Sequence, residues 1–285
     1  MGSKIAVIGA KGMLGTDLCA KLKKCGIAFI PLDIADLDIT SLEACRRVLG
    51  KIRPDIIINV AAYTQVDLAE DEREKAFLVN AGGPKNLAIS ASEIGASLCH
   101  ISTDYVFDGE KDTPYVESDK PNPLSVYGKS KLKGENEVLC YCQRSWIIRT
   151  AWLYGLNGKN FVKTIVAKAK EGADLKVVVD QFGSPTFTVD LAHRIIETAQ
   201  NAPFGIYHAT NSGSCSWHEF AVKILHEFDL KCKITPIKSE EWKIKTARPK
   251  NSVLDNRAAM MAGLSPMPSW EDALKRYARL QSKGN

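Results

Sequence analysis

Lys4-Ile5-Ala6-Val7-Ile8 runs directly into Gly9-Ala10-Lys11-Gly12-Met13-Leu14-Gly15, and the helical stretch Thr16 to Cys25 follows. This succession of strand, glycine turn and helix narrows the possible folds more than any other part of the chain. Glycines at those places allow a tight turn, let backbone approach a pyrophosphate and let the helix pack close to the strand, while free amides at the helix start face the anion. A glycine fingerprint alone is weak evidence, but here it stands in the context that a dinucleotide cradle requires. The cradle is read as Gly9, Lys11, Gly12, Met13, Leu14 and Gly15.

Ala28-Phe29-Ile30-Pro31-Leu32 is the second strand and ends at Asp33, about 20 residues after the turn, where a carboxylate accepts hydrogen bonds from an adenosine ribose. The neighbours Ile34, Ala35, Asp36 and Leu37 supply no Arg or Lys for a 2'-phosphate, which favours NADH over NADPH. Asp38 and Ile39 are candidates to flank the adenine, although Asp38 ahead of Thr40 and Ser41 equally suits a helix start. Asp55 to Val60 is an almost continuous apolar run, as in a parallel strand covered on both faces. Ala61, Ala62 and Tyr63 follow it on the cofactor side, with Thr64 to Asp67, Val66 among them, toward a substrate. The acidic run Glu70-Asp71-Glu72 reads as a solvated helix start.

Helical spacing from Ala76 through Ile94 leads to the apolar run Ala96 to Ile101, which ends in Ser102-Thr103-Asp104. Trp146-Ile147-Ile148 and Leu175 to Val179 read as two more βα steps. Strands alternating with helices predict an α/β fold, a doubly wound parallel (Rossmann) sheet. After about Gly205 the pattern changes to shorter pieces: Gly205 to Ala209, a helix from Ser216 to Phe228 and a closing helix from Trp270. The expected division is residues 1–152 for the dinucleotide, with 175–203 returning to that unit, and 153–285 mainly as a smaller α/β substrate lobe.

Chemistry is expected at Ser125-Val126-Tyr127-Gly128-Lys129-Ser130-Lys131. Four residues on a helix put Tyr127 and Lys131 on one face. A phenol titrates near ~10, so it is a usable acid only if a nearby cation favours its phenolate, and Lys131 is expected to be that cation. Such pairs also occur by chance as ordinary packing, so the pair takes its weight from the dinucleotide context. Trp152 is read either as a lid over a sugar or base or as core filler.

The net charge of +5 in 285 residues is modest and spread among alternating Lys, Glu and Asp, which favours a solvated surface over nucleic-acid binding. The eight cysteines lack two-pair metal spacing and read as reduced intracellular thiols. The chain has no signal-like start and no apolar stretch near the roughly 20 residues that span a bilayer, so a cytoplasmic protein without membrane contact is expected. His193, His208, His218 and His226 have no convergent ligand spacing and read as structural.

With these residues in view, the chain resembles the extended short-chain dehydrogenase/reductases, and within them the dTDP-4-dehydrorhamnose reductase family. The resemblance covers nearly the whole chain. It rests on the glycine turn, Asn59-Val60-Ala61-Ala62-Tyr63-Thr64-Gln65-Val66-Asp67, Ser102 through Gly109, Tyr127 with Lys131, Arg149 through Gly155, Asp180 through Thr186, and Ala247-Arg248-Pro249. It implies hydride transfer from a nicotinamide to the C4 ketone of a dTDP-sugar. Tyr127 is then the acid, Lys131 its partner and a ligand of the nicotinamide ribose, and Thr103 the group that holds the carbonyl. Asp104, Tyr105 and Trp152 contact the sugar, Thr64 and Val66 line the substrate side, and Ser102 borders the cofactor.

Glutamates that hold magnesium between subunits in some members have no matching set here, so no required metal is expected, and the chain is read as monomer or homodimer. Two rivals remain at this stage: another sugar-nucleotide epimerase or reductase of the same fold, and a regulatory subunit that binds a dinucleotide without turnover.

Overall fold

Runs of Ile, Val and Ala flanked by turn residues make the strands of the main sheet. The computed structural model describes residues 3–242 and 246–283. Strands β1 (Ile5–Ile8), β3 (Ile56–Asn59), β4 (Ser97–Thr103) and β5 (Ser145–Thr150) are buried along their whole length, while β2 (Phe29–Leu32) is partly open. After four short strands, β6 (Leu153–Tyr154), β7 (Leu175–Val178), β8 (Phe182–Gly183) and β9 (Thr186–Phe187), the chain supplies β10 (Gly205–His208). Among the described residues the main sheet has the order β10-β5-β4-β3-β1-β2, all neighbours parallel. Two small strands follow, β11 (Cys215–Ser216) and β12 (Ile234–Ile237).

Helices cover both faces, as the sequence led us to expect of a doubly wound sheet. On one face, Leu14, Leu18 and Leu22 of α1 (Met13–Lys24) pack with Leu191, Ile195 and Ile196 of the later helix Thr188–Asn201. The other face is covered by α2 (Leu42–Ile52), α4 (Gly83–Ile94) and α5 (Val126–Tyr141), through Leu49, Leu87, Ala91 and Val138. A short helix α3 (Arg73–Phe77) and a π-helical turn Leu78–Gly82 precede α4, so the expected continuous helix from Ala76 is widened at its start. Strand order reverses at β1, whose neighbours are β2 and β3, and the crevice beyond the carboxyl ends there is where ligands of such sheets bind.

A second core lies beyond β5. It joins Val162 and Ile165 of α6 (Phe161–Lys170), Leu175 and Val177 of β7, Phe187, Phe220 of α8 (Trp217–Glu227), and Trp270 and Tyr277 of α10 (Trp270–Lys283). The helix Thr188–Asn201 is α7, and α9 is Arg257–Met261.

Two strand expectations are corrected. Leu175–Val178 does not continue the parallel sheet; it pairs with β12 in the second lobe. Gly205–His208, expected in the smaller lobe, pairs with β5 and extends the main sheet. Both runs are short and apolar, and such a run does not encode which sheet it joins. No helix among the described residues is long and apolar enough to cross a membrane.

Candidate active site

The glycine turn closes as its composition requires. Gly9 and Ala10 donate their amides to Leu32 O, Gly12 N bonds Gly9 O, and Gly9 has φ +81°. A Cβ on Gly9 would meet the Ala61 backbone, and one on Gly15 would run into Gly9 O, so both positions exclude larger residues. The helix α1 starts at Gly12 without a side-chain cap, which leaves its first amides available to an anion. Lys11 and Gly12 are exposed at this turn. Leu14, by contrast, lies in the core, and Met13 packs toward Gly155 and Gly158, so any cofactor contact by Leu14 falls to its backbone.

Asp33 is half-buried at the end of β2, and its Oδ1 accepts from Ile34 N at 2.8 Å. Asp38 is taken up by its own turn, accepting from Thr40 N and Thr40 Oγ1, which matches the helix-start reading. Ile39 is buried against Gly83 rather than open to an adenine. Ala61 and Ala62 are half-buried beside the turn. Tyr63 is buried, its amide and carbonyl both bonded by the Asn80 side chain at 2.8 and 3.0 Å, and Asn80 also donates to Ser130 Oγ at 3.0 Å. A single amide in the π-helical turn thus ties the loop after β3 to α5.

Helix α5 begins at the chemistry. Ser125 caps it by accepting from Gly128 N, and Glu70 Oε1 accepts from Val126 N at 2.8 Å. The acidic run expected to be merely solvated therefore caps α5, while its Glu72 accepts from Tyr63 Oη and Lys75. A side chain at Gly128 would collide with the Tyr105 carbonyl, so only glycine lets this first turn seat against the end of β4.

Tyr127 is half-buried, edge-on to the Tyr105 ring at 5.5 Å between centroids, with the Thr103 hydroxyl near its phenol. Burial pushes its phenol above the usual range, the Thr103 hydroxyl works against that, and Asp104 and Tyr105 add to it. The expectation that Lys131 poises this phenol is corrected: the Lys131 ammonium is buried and donates to Ile101 O at 2.6 Å. Burial lowers Lys131 to about 8, with Glu135 opposing.

Thr103 donates to Asp104 Oδ1 at 2.9 Å and accepts from Tyr105 N. Asp104 is turned into the protein, and burial raises its carboxyl to about 6, with the nearby Ser252 hydroxyl and the bond from Thr103 opposing. Burial likewise pushes Tyr105 up to about 12, with Arg248 opposing. Ser102 is buried, and its hydroxyl donates to Glu135 instead of facing the glycine turn.

Trp152 is neither a free lid nor simple filler. Its backbone is left-handed at φ +48°, and its indole lies flat on Trp217 at 3.5 Å, with Gly183 too close to the ring to carry a side chain. Beyond this stack opens a cleft of about 980 Å³, lined among others by Trp217, Phe161, Lys168, Lys176, Trp242 and Arg248. Arg248 bonds Asp67 at 3.0 Å across it, on the loop that carries exposed Thr64 and half-buried Val66.

Sequence reasoning missed Asn80, Glu135 and Trp217. For Glu135 a signal existed, since it continues the four-residue spacing of Tyr127 and Lys131; for the other two there was none short of contacts between distant segments.

The family model described as RmlD substrate binding domain matches residues 3–282. The chain is 44% identical to the spore coat polysaccharide biosynthesis protein SpsK of Bacillus subtilis, with 98% of each covered. It is 38% identical to a dTDP-4-dehydrorhamnose reductase of Aggregatibacter actinomycetemcomitans, over 96% of this chain and 97% of that one. The crystal structure of dTDP-4-dehydrorhamnose reductase from Bacillus anthracis in complex with NADP superposes with a TM-score of 0.95 at 42% identity, covering 97% of this chain and 99% of that one.

That complex overturns the preference for NADH over NADPH. The sequence argument sought a cation only among the residues after β2. Exposed Lys11 lies in the turn whose Gly9 and Ala10 amides bond Leu32 O, so a cation stands at the same strand end, brought there by β1.

Proposed function

The chain belongs to the family described as RmlD substrate binding domain, and from that premise we propose that it reduces the C4 ketone of dTDP-4-dehydro-L-rhamnose to dTDP-L-rhamnose, in dTDP-rhamnose biosynthesis. One observation carries the reading: Tyr127 and Lys131, one turn apart on α5, both reach the carboxyl end of β4, Tyr127 beside the Thr103 hydroxyl and Lys131 on Ile101 O, on the side of the sheet where the glycine turn lies.

A reduced nicotinamide, NADPH by the relative's example, supplies the hydride when bound. The chain's residues fit that group: the glycine turn leaves room for backbone to meet a diphosphate, and the amides of α1 and Lys11 offer donors to its phosphates. Tyr127 gives its phenolic proton to the oxygen forming at C4, an acid contribution of about 10²- to 10⁴-fold. Raised by burial, Tyr127 keeps that proton at neutral pH until the oxygen's basicity draws it off. Thr103 holds the carbonyl oxygen beside the phenol, and Lys131, kept in place by Ile101 O, offers its remaining donors to the nicotinamide ribose. The Trp152 and Trp217 stack forms the floor on which the sugar nucleotide lies, with Tyr105 and Arg248 along its side. We assign the dinucleotide to the main-sheet side and the sugar nucleotide to the lobe side.

The test is the purified protein with dTDP-4-dehydro-L-rhamnose and either NADPH or NADH, following loss of reduced-cofactor absorbance. Stoichiometric oxidation with formation of the deoxysugar is expected. Turnover of sugar with no net oxidation would instead indicate an epimerase.

A further inference from the structure

We infer that Glu135 is a positioning residue for the reduction: locked by Arg149 and Ser102, its carboxylate holds α5 and the carboxyl end of β4 in the register that Tyr127, Lys131 and Thr103 need. This rests on the reading above in which Lys131 serves the dinucleotide.

Tyr127, Lys131 and Glu135 recur every four residues along one face of α5. Each reaches one of the last three residues of β4: Tyr127 lies beside the Thr103 hydroxyl, Lys131 donates to Ile101 O at 2.6 Å, and Glu135 Oε1 accepts from Ser102 Oγ at 2.5 Å. The next strand adds a fourth hold. Arg149 of β5 stands opposite Ser102 in the sheet register and grips both Glu135 oxygens, Nε at 3.0 Å to Oε1 and Nη2 at 2.7 Å to Oε2. Two adjacent strands therefore fix one carboxylate, and that carboxylate fixes where α5 sits against the end of β4.

The pair is buried almost completely, with side-chain exposures of 2% for Arg149 and 1% for Glu135. Burying both charges carries a desolvation penalty, and apolar residues of similar volume often fill such space equally well. What an apolar pair would not provide is a negative neighbour for Lys131. The charged and titratable groups near that ammonium are Glu135, one turn along its own helix, and His100 on β4, with Arg149 behind Glu135 on β5 and Tyr127 one turn before Lys131 on α5. His100 is buried, shares a hydrogen bond with Asn59 and is held well below its usual pKa by burial and by Lys131, so it stays neutral. Glu135 is left as the group that keeps Lys131 charged.

The sign follows. Lys131 acts while protonated and its folded pKa lies at about 8, so dinucleotide binding and turnover fall as pH rises through that value. Removing the Glu135 charge lowers the Lys131 pKa further and moves the fall to lower pH.

The experiment compares wild type with Glu135→Gln, Glu135→Asp and the paired Glu135→Gln/Arg149→Met, each first checked by thermal unfolding. NADPH binding is followed against pH by energy transfer from indole to dihydronicotinamide, and turnover is resolved into kcat and KM. In Glu135→Gln the alkaline limb of NADPH binding is expected about one pH unit lower. At pH 7, kcat is expected about tenfold lower, with KM for the sugar nucleotide within about threefold. Glu135→Asp should restore most of the limb.

A folded Glu135→Gln or paired variant whose limb coincides with wild type overturns the inference and leaves the network as packing. Should neither fold, Ser102→Ala, which removes one hydroxyl and no charge, decides: a downward shift supports the inference and an unmoved limb overturns it. Binding is read without the sugar, so the two proposals fail separately. A wild type that binds NADPH with this limb yet leaves the sugar unreduced sinks the substrate assignment alone, whereas a wild type with no alkaline limb sinks the positioning role.

Discussion

Lys131, Glu135 and Arg149, in the wall built by α5, β4 and β5, are at most 2% exposed and bonded by main chain or by one another, whereas Lys168, Lys176 and Trp242, which line the cleft on the lobe side, stand open to solvent. On the sheet side the hydrogen-bond geometry is set by α5 and two strands, so these side chains are arranged in advance, and in the proposed reduction little reorganisation would accompany the chemical step. On the lobe side Trp217 is placed by stacking and the lysines by flexible stems, a surface that adapts to what it binds. The contrast teaches that substitutions on the first wall should act on the chemical step, and those on the second on affinity.

The largest expected effect tests the first wall. Tyr127→Phe removes the proton donor and little volume, so kcat should fall at least ~100-fold while NADPH binding, measured by fluorescence, persists. Near-normal turnover would remove Tyr127 as the acid and erase the contrast. Lys131→Met should weaken NADPH binding and lower kcat together, each by roughly tenfold or more, since in the proposed reading the ammonium orients the nicotinamide ribose from which the hydride leaves.

On the second wall, Trp217→Ala removes the platform under Trp152. KM for the sugar nucleotide is expected to rise about tenfold with kcat nearly unchanged, in line with the roughly 1 kcal/mol of an aromatic pair plus lost area. A fall in kcat alone would place Trp217 with the chemistry. Lys11→Ala should narrow the preference for NADPH over NADH by about fivefold, as expected for a single partly solvated charge contact; equal loss toward both dinucleotides would show that Lys11 reads the diphosphate and not the 2'-phosphate. Smallest of all, Lys168→Ala should raise KM by about twofold, and the effect should vanish at high salt because exposed charges are screened.

The wall legible in the sequence was the first. The helix that puts Tyr127 and Lys131 on one face and the strand that ends at Thr103 were legible because helical and strand periodicity are local rules, and the glycine turn because its backbone demands are local too. Even there the reading went astray on the role of the ammonium, which needed the position of Ile101 O. The acidic run Glu70-Asp71-Glu72 does lead into a helix, α3, as expected, but that its Glu70 also caps α5 could not be read, because the amide it accepts from lies on a different segment.

By itself the sequence determined an alternating α/β sheet with a dinucleotide turn at its start and a phenol and an amine one helical turn apart, because each of these depends on residues near one another along the chain. The tertiary structure decided that β10 joins the main sheet and β7 leaves it, that Trp152 lies on Trp217, and that Glu135 is gripped from two strands. These depend on which buried surfaces and unpaired polar groups meet when distant segments pack, and that is a property of the whole core, not of any short run of residues.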